Sequence, residues 1–241
     1  GRSRQNTFDV MASGPFELLG RQHDLVVGAT SSRRTASQED IAPFYPGFTP
    51  VNVYELSPAY PRPNFDAMAS IPTRTRIKQS GVYSAARFSL AEPLKLIVGG
   101  RFSNYEIDDV VGGSSLHYKK SSEFTPYAGL VYDIDKTYSA YVSYTGIFNP
   151  QTDYRDSKGN VLTPSKGKTK EIGLKGAYMD GRLNASVALF HTELDNAAQM
   201  VAGTYTPGGA QAYIGADGTK SRGIELDLQG EMARGWNIYA G

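Results

Sequence analysis

The chain has no cysteine, which excludes a disulfide framework and a thiolate-bound metal centre. Its three histidines, His23, His117 and His191, lie far apart and show no metal-ligand spacing. Neither sign of charge prevails: 25 Lys and Arg face 24 Asp and Glu, for a net charge of +1, and basic residues never run longer than a pair. No nucleic-acid partner is therefore expected. No apolar run approaches the roughly 18 residues of a membrane helix, so any contact with hydrocarbon must be made by strands. Segments of helical period are also lacking. The chain opens without an initiator Met or signal pattern and stops in what reads as a strand, so it is expected to be an internal piece of a larger protein.

What the chain does have is 26 glycines, 16 tyrosines and a period of two. Over 171–178, Glu171, Gly173, Lys175 and Ala177 alternate with Ile172, Leu174, Gly176 and Tyr178, the signature of a strand with two unlike faces. Asp180-Gly181 follows, a dipeptide that accepts positive φ at both central positions of a two-residue hairpin turn. If Met179 faces Arg182, then Tyr178 meets Leu183, Gly176 meets Ala185, Leu174 meets Val187 and Ile172 meets Leu189. All of those lie on one apolar or small face. A third strand repeats the rule with Ile224, Leu226 and Leu228 against Glu225, Asp227 and Gln229.

Taken in order, the pattern predicts strands over about 5–19, 24–33, 74–90, 94–109, 119–132, 137–149, 171–178, 182–190 and 221–231, with a tenth begun at the end. The short turns are 20–23, 91–93, 133–136, 180–181 and 232–235. The longer connections are 34–73, which holds more than half of the thirteen prolines, a medium loop 110–118, a loop 150–166 turning at Lys158-Gly159-Asn160, and a Gly- and Tyr-rich loop 197–219. Short turns are expected at one end of the sheet and long loops at the other. Several strands match the nine to eleven residues, roughly, that cross a bilayer at a tilt. The fold class is therefore all-β, an antiparallel up-and-down transmembrane β-barrel. A soluble sandwich or barrel also has one apolar face, but it would fill that face with larger residues than these Gly and Ala.

Catalytic signals are poor. Ser165-Lys166-Gly167-Lys168 matches S-x-x-K without its partner motifs, and Gly167-Lys168-Thr169 lacks the glycine and helix of a phosphate loop. Asp133 and Asp135 serve a tight turn. Lys95, Arg101, Glu171, Lys175, Glu225 and Asp227 are expected to face the lumen. Tyr132, Tyr138 and Tyr178, near short turns, read as an aromatic girdle. The chain is not expected to be an enzyme.

The stretches GPFELLGRQHDLVVGA (14–29), FTPYAGLVYDIDKTYSAYVSYTGIFNPQ (124–151), KGKTKEIGLKGAYMDGRLNASVALFHTELDN (166–196) and SRGIELDLQGEMARGWNIYAG (221–241) resemble TonB-dependent ferric-siderophore receptors. The similar branch includes ferripyoverdine, ferric-coprogen and ferric-alcaligin receptors. The resemblance implies a bacterial outer-membrane barrel of about 22 strands, closed by an N-terminal plug. Residues 1–241 would then be a partial barrel domain of about ten strands, without the plug and terminal strands. It implies import of a ferric siderophore, driven by the TonB-ExbB-ExbD complex acting on the plug, and a passive or structural barrel is the alternative. The iron arrives as a transported ligand, so no cofactor and no protein-held metal is expected. The remaining partner is outer-membrane lipid.

On that reading the ligand is met on the long-loop side, where aromatic and Arg side chains stack on and pair with a flat, anionic chelate. The candidates are Tyr45, Tyr54, Tyr60, His117, Tyr154, Arg155, Tyr205 and Tyr213. A place in the interfacial girdle, or packing of the loops against one another, is the competing role for each tyrosine.

Overall fold

Alternating residues separate onto two faces of an extended chain, and the computed structural model, which describes residues 1–41 and 70–241, consists largely of such segments. One antiparallel sheet contains β1 (Arg2–Leu18), β2 (Arg21–Ile41), β3 (Ser70–Ser89), β4 (Leu94–Val111), β5 (Ser114–Asp133), β6 (Tyr138–Asn149), β7 (Ser165–Tyr178), β8 (Leu183–Asp195), β11 (Thr219–Ala233) and β12 (Trp236–Ala240). Each strand pairs with its neighbour in sequence, except that a separate hairpin of β9 (Ala197–Tyr205) and β10 (Gln211–Ala216) stands between β8 and β11. There is no helix among the described residues. The order is the up-and-down meander of ten strands that the pattern predicts.

The β7–β8 register is the expected one: Ile172 faces Leu189, Leu174 faces Val187, Gly176 faces Ala185 and Tyr178 faces Leu183. The turn is different. Met179, Asp180 and Gly181 all have positive φ, at 55°, 57° and 82°, and the amide of Gly181 donates to the carbonyl of Tyr178 at 3.1 Å. Residues 179–182 form a four-residue left-handed loop instead of a two-residue one, yet the pairing is kept because both ends still meet in register.

The two faces are inverted relative to a water-soluble protein. Ile172 is 56% exposed and Leu226 64%, while Ala188 on the opposite face is 6% exposed. Across β6, β7, β8 and β11 one outward row reads Val142, Ile172, Leu189, Ile224 and the next Ala140, Leu174, Val187, Leu226. Only five apolar residues are buried among the described ones, too few to hold a structure of this size in water. The outward rows are those that hydrocarbon would cover in a membrane barrel.

The inward face carries the expected charges, and several of its polar groups are paired. Lys95 donates to Asp133, which also accepts from Ser139 at 2.9 Å. Arg87 meets Asp24 at 2.5 Å, and Arg101 donates to Thr30 at 2.6 Å. Tyr141 donates to Glu171. Asp135 accepts from the amides of Thr137 and Tyr138 at 2.7 and 2.8 Å, which is the turn role foreseen for it. Tyr138 and Tyr178 meet edge-on at that same short-turn end, with ring centroids 5.9 Å apart.

Three loop expectations are corrected. Residues 110–118 form no medium loop: β4 and β5 run on to a tight turn at Gly112-Gly113, where φ of 56° and 89° explains the paired glycines. One connection at the loop end is therefore short. The supposed loop 197–219 is mostly the β9–β10 hairpin. The break expected from 34 starts later and ends earlier, since β2 continues to Ile41 and β3 begins at Ser70, paired throughout. Likewise, the first short turn is Leu19-Gly20, with β2 already under way at Arg21.

Candidate ligand site at the loop end

Loop 150–164 is ordered by its own polar residues. Buried Gln151 donates to the carbonyls of Thr163 and Asn196, at 2.8 and 2.6 Å, and accepts from the amide of Ala198 at 2.7 Å. Asn196 donates from Nδ2 to the carbonyl of Thr163 at 2.6 Å, and its amide donates to Asp217 at 2.8 Å. These bonds tie the loop to the foot of the β9–β10 hairpin. Farther out, Asp156 accepts from the amides of Lys158 and Asn160 and from the Asn160 side chain, at 2.9, 2.8 and 3.0 Å, closing the expected turn around Gly159. Hydrogen bonding from Asn160, first through its side chain and then its amide, holds the Asp156 carboxyl below the usual carboxylate range.

The loop reaches back over the inward face of β4. There Thr152 meets the hydroxyl of buried Tyr105 at 3.1 Å. Beside this contact lies a cavity of about 400 Å³ lined by Arg34, Thr75, Ile77, Ile107, Asp109, Thr152, Asp153 and Arg155. Asp109 is held by a 2.6 Å bond from Thr75, whereas Arg34 and Arg155 form no ion pair among the described residues. Two guanidinium groups and two carboxylates thus line the cavity beside Ile77 and Ile107, and the guanidinium groups offer donors to the oxygens of a ligand.

Of the sequence candidates, Arg155 lines this cavity. The rings of Tyr154 and Tyr213 meet edge to face, with centroids 4.8 Å apart, and the amide of Tyr213 donates to the carbonyl of Arg155 at 2.8 Å. Tyr205 sits at the end of β9, 60% exposed. His117 stands on the outward face of β5, opposite the cavity, bonded to Asp108 at 2.7 Å. The sequence pattern places it in a loop, but the chain there is strand, and alternation turns it away from the cavity. Tyr45, Tyr54 and Tyr60 lie outside the described residues. Arg34, Asp109 and Thr152 were not singled out, because their convergence depends on a loop folding inward, which no spacing in the sequence expresses.

Glu106, Asp108 and His117 bring their ligand atoms within 4.8 Å of one another, the one such group among the described residues. Lys78 already meets Glu106 at 2.5 Å, and His117 already binds Asp108. The three groups thus satisfy each other and Lys78 without an ion.

A ten-stranded antiparallel meander with an apolar outer face, a charged inner face and a polar cavity at its loop end has the make-up of the wall of a membrane β-barrel. Residues 1–241 match the family described as TonB dependent receptor-like, beta-barrel, and the chain belongs to it. It is 36% identical over its whole length to the ferric-pyoverdine 358 receptor of Pseudomonas putida, and 36% identical to the ferripyoverdine receptor of Pseudomonas aeruginosa. In each case it spans 30% of the relative. Among solved structures, that ferripyoverdine receptor superposes with a TM-score of 0.78 at 35% identity, covering 98% of this chain and 32% of the other. The alcaligin outer membrane receptor of Bordetella pertussis gives 0.73 at 37% identity, covering 98% and 37%. The chain is thus part of a bacterial outer-membrane receptor barrel, and its family is one of receptors, not enzymes. Membership in it does not favour a passive or structural barrel.

Proposed function

We propose that the chain forms a central part of the barrel of a ferric-siderophore receptor, whose plug and remaining strands lie outside it. The protein takes up its chelate with energy delivered by TonB-ExbB-ExbD acting on the plug. The observation that carries the reading is the loop-end cavity lined by Arg34 and Arg155, neither of which forms an ion pair among the described residues, on a wall whose relatives are named for ferric pyoverdine. β1 and β12 each have one partner strand here, and hydrocarbon tolerates no open sheet edge, which supports a larger closed barrel. Iron is cargo in this reading, with no resident cofactor. The edge-to-face Tyr154–Tyr213 pair braces the loops, and exposed Tyr205, with Tyr45, Tyr54 and Tyr60, offers rings to the chelate.

The test is uptake of radiolabelled ferric chelates by iron-starved cells that lack the receptor, complemented with wild-type protein or with Arg34→Ala/Arg155→Ala. Loss of uptake of one chelate in the deletion strain, with binding weakened about tenfold to a hundredfold by the double substitution, is expected from two charge-assisted contacts. Unchanged uptake of every chelate in the deletion strain refutes the transport role, and wild-type binding by the double variant refutes the site.

A further inference from the structure

The loop-end cavity has two walls, and each brings one charge of either sign. From the sheet come Arg34 of β2 and Asp109 of β4. Their rows are adjacent: Arg34, Ile77 and Ile107 cross β2, β3 and β4, and Ala36, Thr75 and Asp109 form the next row toward the loops. From loop 150–164 come Asp153 and Arg155. The loop is held on both sides of them, since Thr152 meets the hydroxyl of Tyr105 at 3.1 Å and the carbonyl of Arg155 accepts from the amide of Tyr213 at 2.8 Å. None of the four charges has an opposite charge within 4.0 Å among the described residues. Asp109 accepts from a neutral donor, Thr75, at 2.6 Å. At these separations in a wet cavity the four attract one another weakly, so all remain available to a ligand.

A ligand of one sign is poorly served here. A purely anionic one gains from Arg34 and Arg155 but is repelled by Asp109 and Asp153, and a purely cationic one meets the reverse. Such discrimination works through the repulsive members as much as through the attractive ones. A bare metal ion is poorly held as well, because no third carboxylate or imidazole among the described residues joins the two acids within ligating reach. An organic group that carries an anionic and a cationic centre together satisfies both walls, with its apolar part over Ile77 and Ile107. We propose that Asp109 and Asp153 are specificity-determining residues that receive an ammonium or guanidinium arm of the ferric chelate, while Arg34 and Arg155 take its anionic oxygens. This rests on the chelate reading of the cavity and adds to it the charge pattern of the chelate.

The test uses the intact receptor purified in detergent and titration calorimetry. The probes are ferrioxamine B, a ferric trihydroxamate ending in an ammonium group, and a ferripyoverdine with a side-chain ammonium, each with that group free and acetylated. Wild-type protein is expected to prefer the free ammonium by about tenfold in the chelate it binds, from one charge-assisted contact. Asp109→Asn/Asp153→Asn keeps the side-chain shapes and an acceptor for Thr75. It should abolish the preference while binding the acetylated form no worse than wild type. Asp153→Asn alone, at an exposed loop position, should lower the preference about threefold and guards against misfolding of the double variant. Arg34→Gln should weaken both forms by the same factor, and Asp180→Asn, at the short-turn end, should change neither. Equal wild-type affinity for free and acetylated forms, a preference that survives in the Asp variants, or equal weakening of both forms by them would each overturn the cation subsite and leave the chelate reading standing. Binding of neither chelate by the wild type would overturn both.

Discussion

The ring of Tyr213 stands edge-on against that of Tyr154, with centroids 4.8 Å apart, so the β9–β10 hairpin is braced by a loop that arises two strands earlier in the sheet. Edge-to-face aromatic pairs contribute about 0.5–1.5 kcal/mol beyond burial. Tyr154→Ala and Tyr213→Ala should each loosen the hairpin, and the double variant should be less destabilised than the sum by about that amount. Protection of β9 amides against hydrogen exchange measures it, and strictly additive effects would show that the rings are merely adjacent.

Gln151 should matter more than either tyrosine. It is 4% exposed and serves two carbonyls and one amide at once. Replacing it with Leu keeps the volume but orphans all three groups, at about 1–3 kcal/mol for a buried group left unpaired. The amide of Ala198 should then exchange far faster while those of β7 and β8 stay protected. An unchanged Ala198 rate would mean that water takes over the bonds.

The Asp156 turn should depend on pH with a definite sign. Its carboxyl is held below the usual range by the bonds it accepts from Asn160 and Lys158. A group whose folded pKa is depressed contributes stability above its unfolded pKa and loses it as pH falls through the folded value. Turn 156–160 is therefore expected to be ordered at neutral pH and to loosen in acid, below about pH 4. Proteolytic nicking at Lys158 by an acid-active protease checks this, with Asp156→Asn as the pH-independent control.

Residue faces give a sharper contrast. Leu226 and Asp227 are neighbours in β11, yet Leu226 points outward in the row of Leu174 and Val187, and Asp227 points inward. Leu226→Arg should cost about 2–4 kcal/mol if its row lies near the bilayer midplane. Asp227→Asn should cost well under 1 kcal/mol, because its surroundings are wet. Urea titration of the receptor folded into lipid vesicles measures both, and equal costs would contradict the outward assignment.

Legibility in the sequence follows the same division between lipid and water. The β7–β8 pairing could be read residue by residue because hydrocarbon forces every second side chain to be apolar. Above the bilayer both faces meet water, the alternation fades at Arg33-Arg34 and again near Asp109, and the strands nonetheless continue to Ile41 and Val111. Period two thus reports lipid contact, not strand. Gly112-Gly113 and the β9–β10 hairpin lie where the apolar alternation is lost, so the pattern reads both as loop. The loop-end cavity was only partly legible. Arg155 stood out as a cation in a long loop, but its meeting with Arg34 and Asp109 follows from the anchoring of Thr152 on Tyr105, a tertiary contact with no local signature.

The inward face offers a final prediction, because one glycine there is required by a neighbour's ring. Gly173 lies opposite Tyr141 in register, and a Cβ added to it would come within 2.5 Å of that ring. The ring lies flat over the glycine, where its hydroxyl donates to Glu171 and the ammonium of Lys175 sits 4.7 Å from its centroid. Gly173→Val must lift the ring off both partners, losing about 1.5–3 kcal/mol for a hydrogen bond to a charged group and about 0.5–1 kcal/mol for the cation–π contact. The higher strand propensity of Val returns up to about 1 kcal/mol, so a net loss of roughly 2 kcal/mol is expected. Adding Tyr141→Ser removes the obstruction, and the double variant should then be no less stable than Tyr141→Ser alone. If Gly173→Val destabilises the Tyr141→Ser background as much as the wild type, the glycine serves the backbone and not the ring.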